Sequence, residues 1–240
     1  MGIKTRLVDY RDGELVLEGL LAWDDGIDGP RPGVLVAHTI RGRSEFEENK
    51  AKLLAKQGYV GFAIDVYGKA FIGSDIEKCR EMMDALRASR PALQKRLLLA
   101  LQTMRDQVEV DASRAAAIGY CFGGLCALDV ARTGEPLAGV VSFHGLFDPP
   151  GNTVGNRIRA RVLALHGWDD PLATPDQAVA LGEELTSMGA DWQLHCYGNV
   201  RHAFTNPAAD ASTGVTVYNA AADRRSWAAA RYFLSEIFDT

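Results

Sequence analysis

The sequence predicts an α/β fold: a mainly parallel sheet with helices on both faces, led by an antiparallel hairpin. Three observations carry this. From Gly33 onward, short apolar runs alternate with stretches of helical pattern, the order that builds a parallel sheet joined by helical crossovers. The runs are almost continuously apolar, as strands covered on both faces must be. Ahead of them, two β-like runs flank an Asp12-Gly13 pair, which signals a hairpin.

Taken in order, Thr5 to Tyr10 and Glu14 to Trp23 are the two hairpin strands, and Asp24 to Pro32 is a turn-rich loop. Gly33 to His38 is the first buried parallel strand, with a polar loop, Thr39 to Arg43, at its end. Ser44 and Glu47 form a capping box, so a helix starts there; it runs through Lys56 and stops at Gly58. Tyr59 to Asp65 is a strand, and Ser74 to Val108 is mostly helical, divided by Pro91. Ala115 to Ile118 is a strand, followed by a glycine-rich turn and a helix-like stretch, Leu125 to Ala131. Gly139 to Phe143, Val162 to His166 and Asp191 to Tyr197 are further strands, with a helix from about Pro175 to Met188. Tyr218 to Phe238 is a long amphipathic helix.

The 240 residues suit a single domain spanning 1–240. A net charge of −5 with no basic block argues against nucleic acid or an anionic membrane as partner. No run approaches the roughly 18 apolar residues of a membrane span. Met1 to Tyr10 lacks the apolar core of a signal peptide, and four cysteines without C-x-x-C spacing fit free thiols in a reducing compartment. The expectation is a cytoplasmic protein, monomer or homodimer, with no metal and no cofactor.

Chemistry concentrates at Gly119-Tyr120-Cys121-Phe122-Gly123-Gly124. A strand that turns sharply into a helix around a nucleophile is a nucleophile elbow, as in α/β-hydrolases. The nucleophile sits in strained backbone, so the residues two before and two after it must lack a bulky Cβ. Serine is the usual occupant; here it is Cys121. The positive end of the following helix favours thiolate. A cysteine nucleophile needs a base and a group to orient that base. Chain order in such folds is nucleophile, acid, histidine, which Cys121, Asp170 and His202 satisfy, with Asp169 as the alternative acid. The oxyanion donors are expected to be the N–H groups of Phe122 and Ile40. Cys79, Cys126 and Cys196 read as inert thiols, His195 as structural, and Asp65 as a structural residue at a strand end. Thr39, Tyr67, His144, Trp168 and Phe204 are expected to line the substrate pocket. Arg41, Arg43 and Lys69 read as solvated surface charges near its mouth.

On these residues the chain resembles the dienelactone hydrolase (carboxymethylenebutenolidase) family of the α/β-hydrolase superfamily. The likeness rests on Gly119 to Gly124, on Gly167-x-x-Asp170, on His202-Ala203-Phe204 and on Asp65-Val66-Tyr67-Gly68. It implies a Cys-Asp-His triad, Cys121, Asp170 and His202, that hydrolyses a small-molecule ester or lactone through an acyl-thioester. Two positions depart. The family's glutamate after the third strand is Thr39 here, and a carboxylate-holding arginine four residues past the histidine is Asn206. The alternatives are a thiol-based redox sensor or ligand-binding protein that retained the fold, and a glutamine amidotransferase-like enzyme. The last pairs its cysteine with His-x-Glu, whereas Phe204 stands two residues after His202.

Overall fold

The computed structural model describes residues 2–239. Eight strands form a mostly parallel sheet: β1 (Ile3–Asp12), β2 (Leu15–Asp24), β3 (Arg31–Ala37), β4 (Val60–Ala63), β5 (Val110–Tyr120), β6 (Gly139–Phe143), β7 (Arg161–Gly167) and β8 (Trp192–Tyr197). Their order is β1-β2-β4-β3-β5-β6-β7-β8. The α-helices among the described residues are α1 (Glu45–Ala55), α2 (Ile76–Ala88), α3 (Arg90–Arg105), α4 (Phe122–Arg132), α5 (Pro175–Ser187) and α6 (Ala220–Phe238). The chain divides into two compact units, Met1–Ile118 and Gly119–Thr240.

In the first unit the hairpin forms where the sequence places it. Asp12 pairs with Leu15, so the two-residue loop is Gly13-Glu14 and Asp12 ends the strand. Gly13 takes a φ of 60°, the conformation that the first position of a tight hairpin loop demands. β2 then runs antiparallel to β4, and β4 parallel to β3, whose seven residues are all buried. The Ser44/Glu47 capping box opens α1 as expected. The predicted helical stretch breaks at Ser89, leaving Pro91 in the first turn of α3, where its missing N–H has no intrahelical acceptor to lose. Arg96 anchors α3, its Nε bonding Asp12 and its Nη1 donating to the Val66 carbonyl at 2.7 Å.

β1, β4 and β5 differ most from the expected lengths, and β1 runs Ile3–Asp12 where Thr5 to Tyr10 is expected. β5 starts at Val110, not Ala115, because Asp111 to Arg114 are strand residues that are not buried and carry no apolar signal. β4 is shorter than Tyr59 to Asp65, since only Val60–Ala63 extends the ladder.

In the second unit β6, β7 and β8 run parallel. α6 lays Phe233 and Ile237 against Gly139 of β6, where an added Cβ would lie 2.8 Å from Ile237. α4 is buried along its whole length, Arg132 included. None of the described helices is long and apolar enough to cross a membrane.

Candidate active site

The turn from β5 into α4 places Cys121 at φ 58°, ψ −117°. A residue with a Cβ pays for that conformation, and the surrounding packing must impose it. The packing is visible. A Cβ on Gly119 would sit 1.9 Å from the Gly123 carbonyl oxygen, and one on Gly124 would sit 2.5 Å from Gly145 Cα. The Cys121 N–H donates to the Phe143 carbonyl at 3.1 Å, and the Cys121 carbonyl accepts from Gly124 N–H at 2.9 Å. The thiol therefore stands at the N-terminus of α4, partly exposed, while Cys79 and Cys126 are buried and Cys196 lies exposed on β8.

Asp170 and His202 meet in the same unit. His202 Nδ1 lies 2.7 Å from Asp170 Oδ2, and both side chains are almost fully buried. Asp170 Oδ1 accepts the Leu172 N–H at 2.8 Å, which fixes the carboxylate. Asp169 points its side chain to solvent, and its N–H bonds the Val200 carbonyl. Burial opposes charge on His202, but nearby Cys121 and the hydrogen bond and charge of Asp170 outweigh it and lift the imidazole to about 10; Nε2 makes no hydrogen bond among the described residues. Asp170 and Cys121 thus both raise the pKa of one buried imidazole.

The remaining histidines have other surroundings. His144 is buried with Nε2 2.8 Å from Thr205 Oγ1. His166 is fully buried against Phe147, and neither ring nitrogen has a hydrogen-bond partner among the described residues. Burial pushes its pKa down. His38 Nε2 accepts the Val66 N–H at 3.3 Å. His195 lies within β8. Phe204 is buried against His144 and Tyr197, and Trp168 is 41% exposed, lining an open apolar cleft of about 640 Å³ with Val179, Trp192 and Leu194.

In the first unit, Thr39 lacks the carboxylate that the resemblance implies, yet a carboxylate reaches its backbone from α1. Glu47, fully buried, accepts the Thr39 N–H at 3.0 Å and the Ser44 N–H at 3.0 Å. Arg41 N–H bonds Thr39 Oγ1, and Gly42 N–H bonds the Thr39 carbonyl. Of the loop N–H groups from 39 to 42, only that of Ile40 has no acceptor among the described residues. The Ile40 carbonyl accepts from the buried Tyr67 hydroxyl at 3.2 Å. Asp65 accepts the N–H groups of Tyr67 and Gly68, a structural duty at a strand end.

One sequence expectation is corrected here. Arg43 is not a solvated charge: it is buried, bonding the Glu18 carboxylate at 2.6 Å and Glu48. Lys69 is half-exposed but paired with Asp9 and Glu18. Asn206, at the departing position, uses its side-chain oxygen to accept the Ala208 N–H and close a local turn. Glu47 read only as a cap in the sequence, and Thr205 carried no signal at all. Among the described residues no group of three His, Cys, Asp or Glu side chains is placed to hold a metal.

The model of the dienelactone hydrolase family matches residues 17–238. A solved structure described as a dienelactone hydrolase-like promiscuous phosphotriesterase from metagenomic libraries is 37% identical. It covers 99% of this chain and 100% of its own, with a TM-score of 0.93. An uncharacterised protein of Caenorhabditis elegans is 34% identical over 150 residues, 61% of this chain and 94% of that protein. A Yersinia pestis protein named "Putative carboxymethylenebutenolidase" is 27% identical over 199 residues, 78% of this chain and 74% of its own.

Proposed function

The chain belongs to the dienelactone hydrolase family of hydrolytic enzymes, and from that premise we propose that it hydrolyses small esters or lactones through a Cys121 acyl-thioester. The observation that carries this reading is the buried imidazole of His202, its Nδ1 bonded to Asp170 at 2.7 Å, with Cys121 and Asp170 together raising its pKa. In the reaction, the Cys121 thiolate attacks the carbonyl carbon. The Phe122 N–H, first of α4, takes the oxyanion. The tetrahedral intermediate collapses and the alkoxide leaves with the proton from His202. Neutral His202 then removes a proton from water, the hydroxide displaces sulfur from the acyl carbon, and His202 returns to its charged state beside thiolate. Asp170 orients the ring and stabilises its charge throughout, as in other acid–histidine pairs.

The test is turnover of p-nitrophenyl acetate by Cys121→Ala, expected to fall at least about 1000-fold, together with intact-mass detection of an acyl adduct on the parent protein. Undiminished turnover removes the nucleophile assignment. Sulfenic acid on Cys121 with no turnover supports the redox-sensor reading instead. A second substrate class is favoured by the 37% identical full-length neighbour named as a phosphotriesterase. The same sulfur would attack phosphorus, and diethyl p-nitrophenyl phosphate is the probe.

A further inference from the structure

The loop carrying His202 is held on two sides. On one side, Val217 N–H donates to the His202 carbonyl at 2.9 Å and Asn219 N–H to the Phe204 carbonyl at 3.1 Å. On the other stands His144, at the end of β6. Its Nε2 lies 2.8 Å from Thr205 Oγ1, three residues past His202. Its ring is edge-on to the His202 ring with centroids 5.2 Å apart, and edge-on to Phe204 at 5.1 Å. His144, His202, Phe204 and Thr205 are all at most 2% exposed. His144 also holds a φ of 37°, outside the comfortable range for a residue with a Cβ, tied by its N–H to the Leu165 carbonyl at 2.8 Å.

Packing alone does not call for this arrangement. A phenylalanine at 144 and a valine at 205 would fill similar volumes without burying polar atoms, whose desolvation a hydrogen bond barely recovers. What the polar pair adds is direction: it fixes how the 202–205 loop sits against the end of β6.

We propose that His144 and Thr205 are a positioning pair, whose hydrogen bond locks the His202 loop so that the imidazole keeps Asp170 on Nδ1 and its open Nε2 within reach of Cys121. This rests on the reading of Cys121, Asp170 and His202 as one catalytic unit. The titratable groups facing His202 are Asp170 after β7, Cys121 at the elbow, His144 after β6 and His166 on β7. The first two favour charge on the ring, and His202 in turn helps to hold the His166 pKa down. A loop released from His144 lets the ring drift from Cys121, and the imidazolium and thiolate lose each other's support.

Thr205→Val removes the hydroxyl at nearly constant size; His144→Phe keeps a ring and removes its nitrogens. The experiment follows iodoacetamide alkylation of Cys121 against pH, with peptide mass mapping to separate it from Cys196, beside kcat and KM on p-nitrophenyl acetate. The expected result in both variants is a kcat about tenfold lower with KM unchanged, and an alkylation midpoint moved up by about one pH unit. Unchanged kcat and midpoint in Thr205→Val overturns the proposal, and so does a lower kcat with an unmoved midpoint, which marks a merely structural bond. If His144→Phe does not fold, Thr205→Val alone decides. Failure of the underlying reading looks different: Cys121 of the parent protein would itself titrate like Cys196, which overturns both.

Discussion

Two buried charge clusters in the second unit make an instructive pair. Around Arg132 every donor is spent: Nε and Nη2 bond Glu184 at 2.9 and 2.7 Å, Nη1 bonds Asp129 and the Asp148 carbonyl, and Nη2 also bonds the Phe147 carbonyl. The cluster ties α4 to α5 and to the loop after β6, and nothing in it is left to react. Around His202 the inner half is equally well satisfied, with Nδ1 on Asp170. On the outer half Nε2 has no hydrogen-bond partner among the described residues, and Cys121, which acts on the ring's pKa, is partly exposed and sits on strained backbone. Burial and charge alone do not distinguish structure from chemistry; the difference is an open valence at the end of the chain of partners.

The largest way to break the comparison is Asp170→Asn. It leaves the volume and most of the fold intact but removes the charge behind His202, and kcat is expected to fall about 1000- to 10,000-fold, measured as initial rates on p-nitrophenyl acetate. Retained activity would place Asp170 with the structural cluster. The counterpart, Arg132→Met, strands two carboxylates. It is expected to cost about 3–5 kcal/mol, read as a Tm lowered by roughly 10 °C in a scan, while kcat/KM stays within about twofold. The smallest effect is the most discriminating. His202 is raised from its ordinary value to about 10, so its contribution to stability is fully present below about pH 6.5 and is lost as pH rises through about 10. kcat/KM is expected to decline along that same alkaline limb. Arg132 keeps its charge there, so the Arg132→Met and parent proteins should lose stability in parallel between pH 8 and 10.5; convergence of their Tm values would mean that the Arg132 cluster is the one titrating.

Much of the molecule was legible in the sequence where the determining physics is local. The capping box at Ser44 and Glu47, the hairpin glycine and the alternation of apolar runs each declare themselves within a few residues. So does the elbow, since Gly119 and Gly123 meet face to face across one turn. Strand limits were less legible, because Asp111 to Arg114 join the ladder by backbone hydrogen bonds that no side chain advertises.

Long-range partnerships left no such trace. His144 and Thr205 are 61 residues apart, Arg132 and Glu184 are 52 apart, and Arg43 meets Glu18 across 25. An arginine looks the same in sequence whether it is solvated or buried in an ion pair, which is why Arg43 reads as a surface charge until its neighbours are known. Sequence alone determined the order of elements, the cysteine elbow and the order of Cys121, Asp170 and His202 along the chain, because periodic burial and glycine sterics act between near neighbours. Tertiary structure alone decided that Asp170 reaches His202, that Glu47 holds the Thr39 backbone and that Thr205 meets His144. Those contacts depend on where whole strands and helices come to rest, and a hydrogen bond between distant residues exists only once both ends have been brought within 3 Å or so.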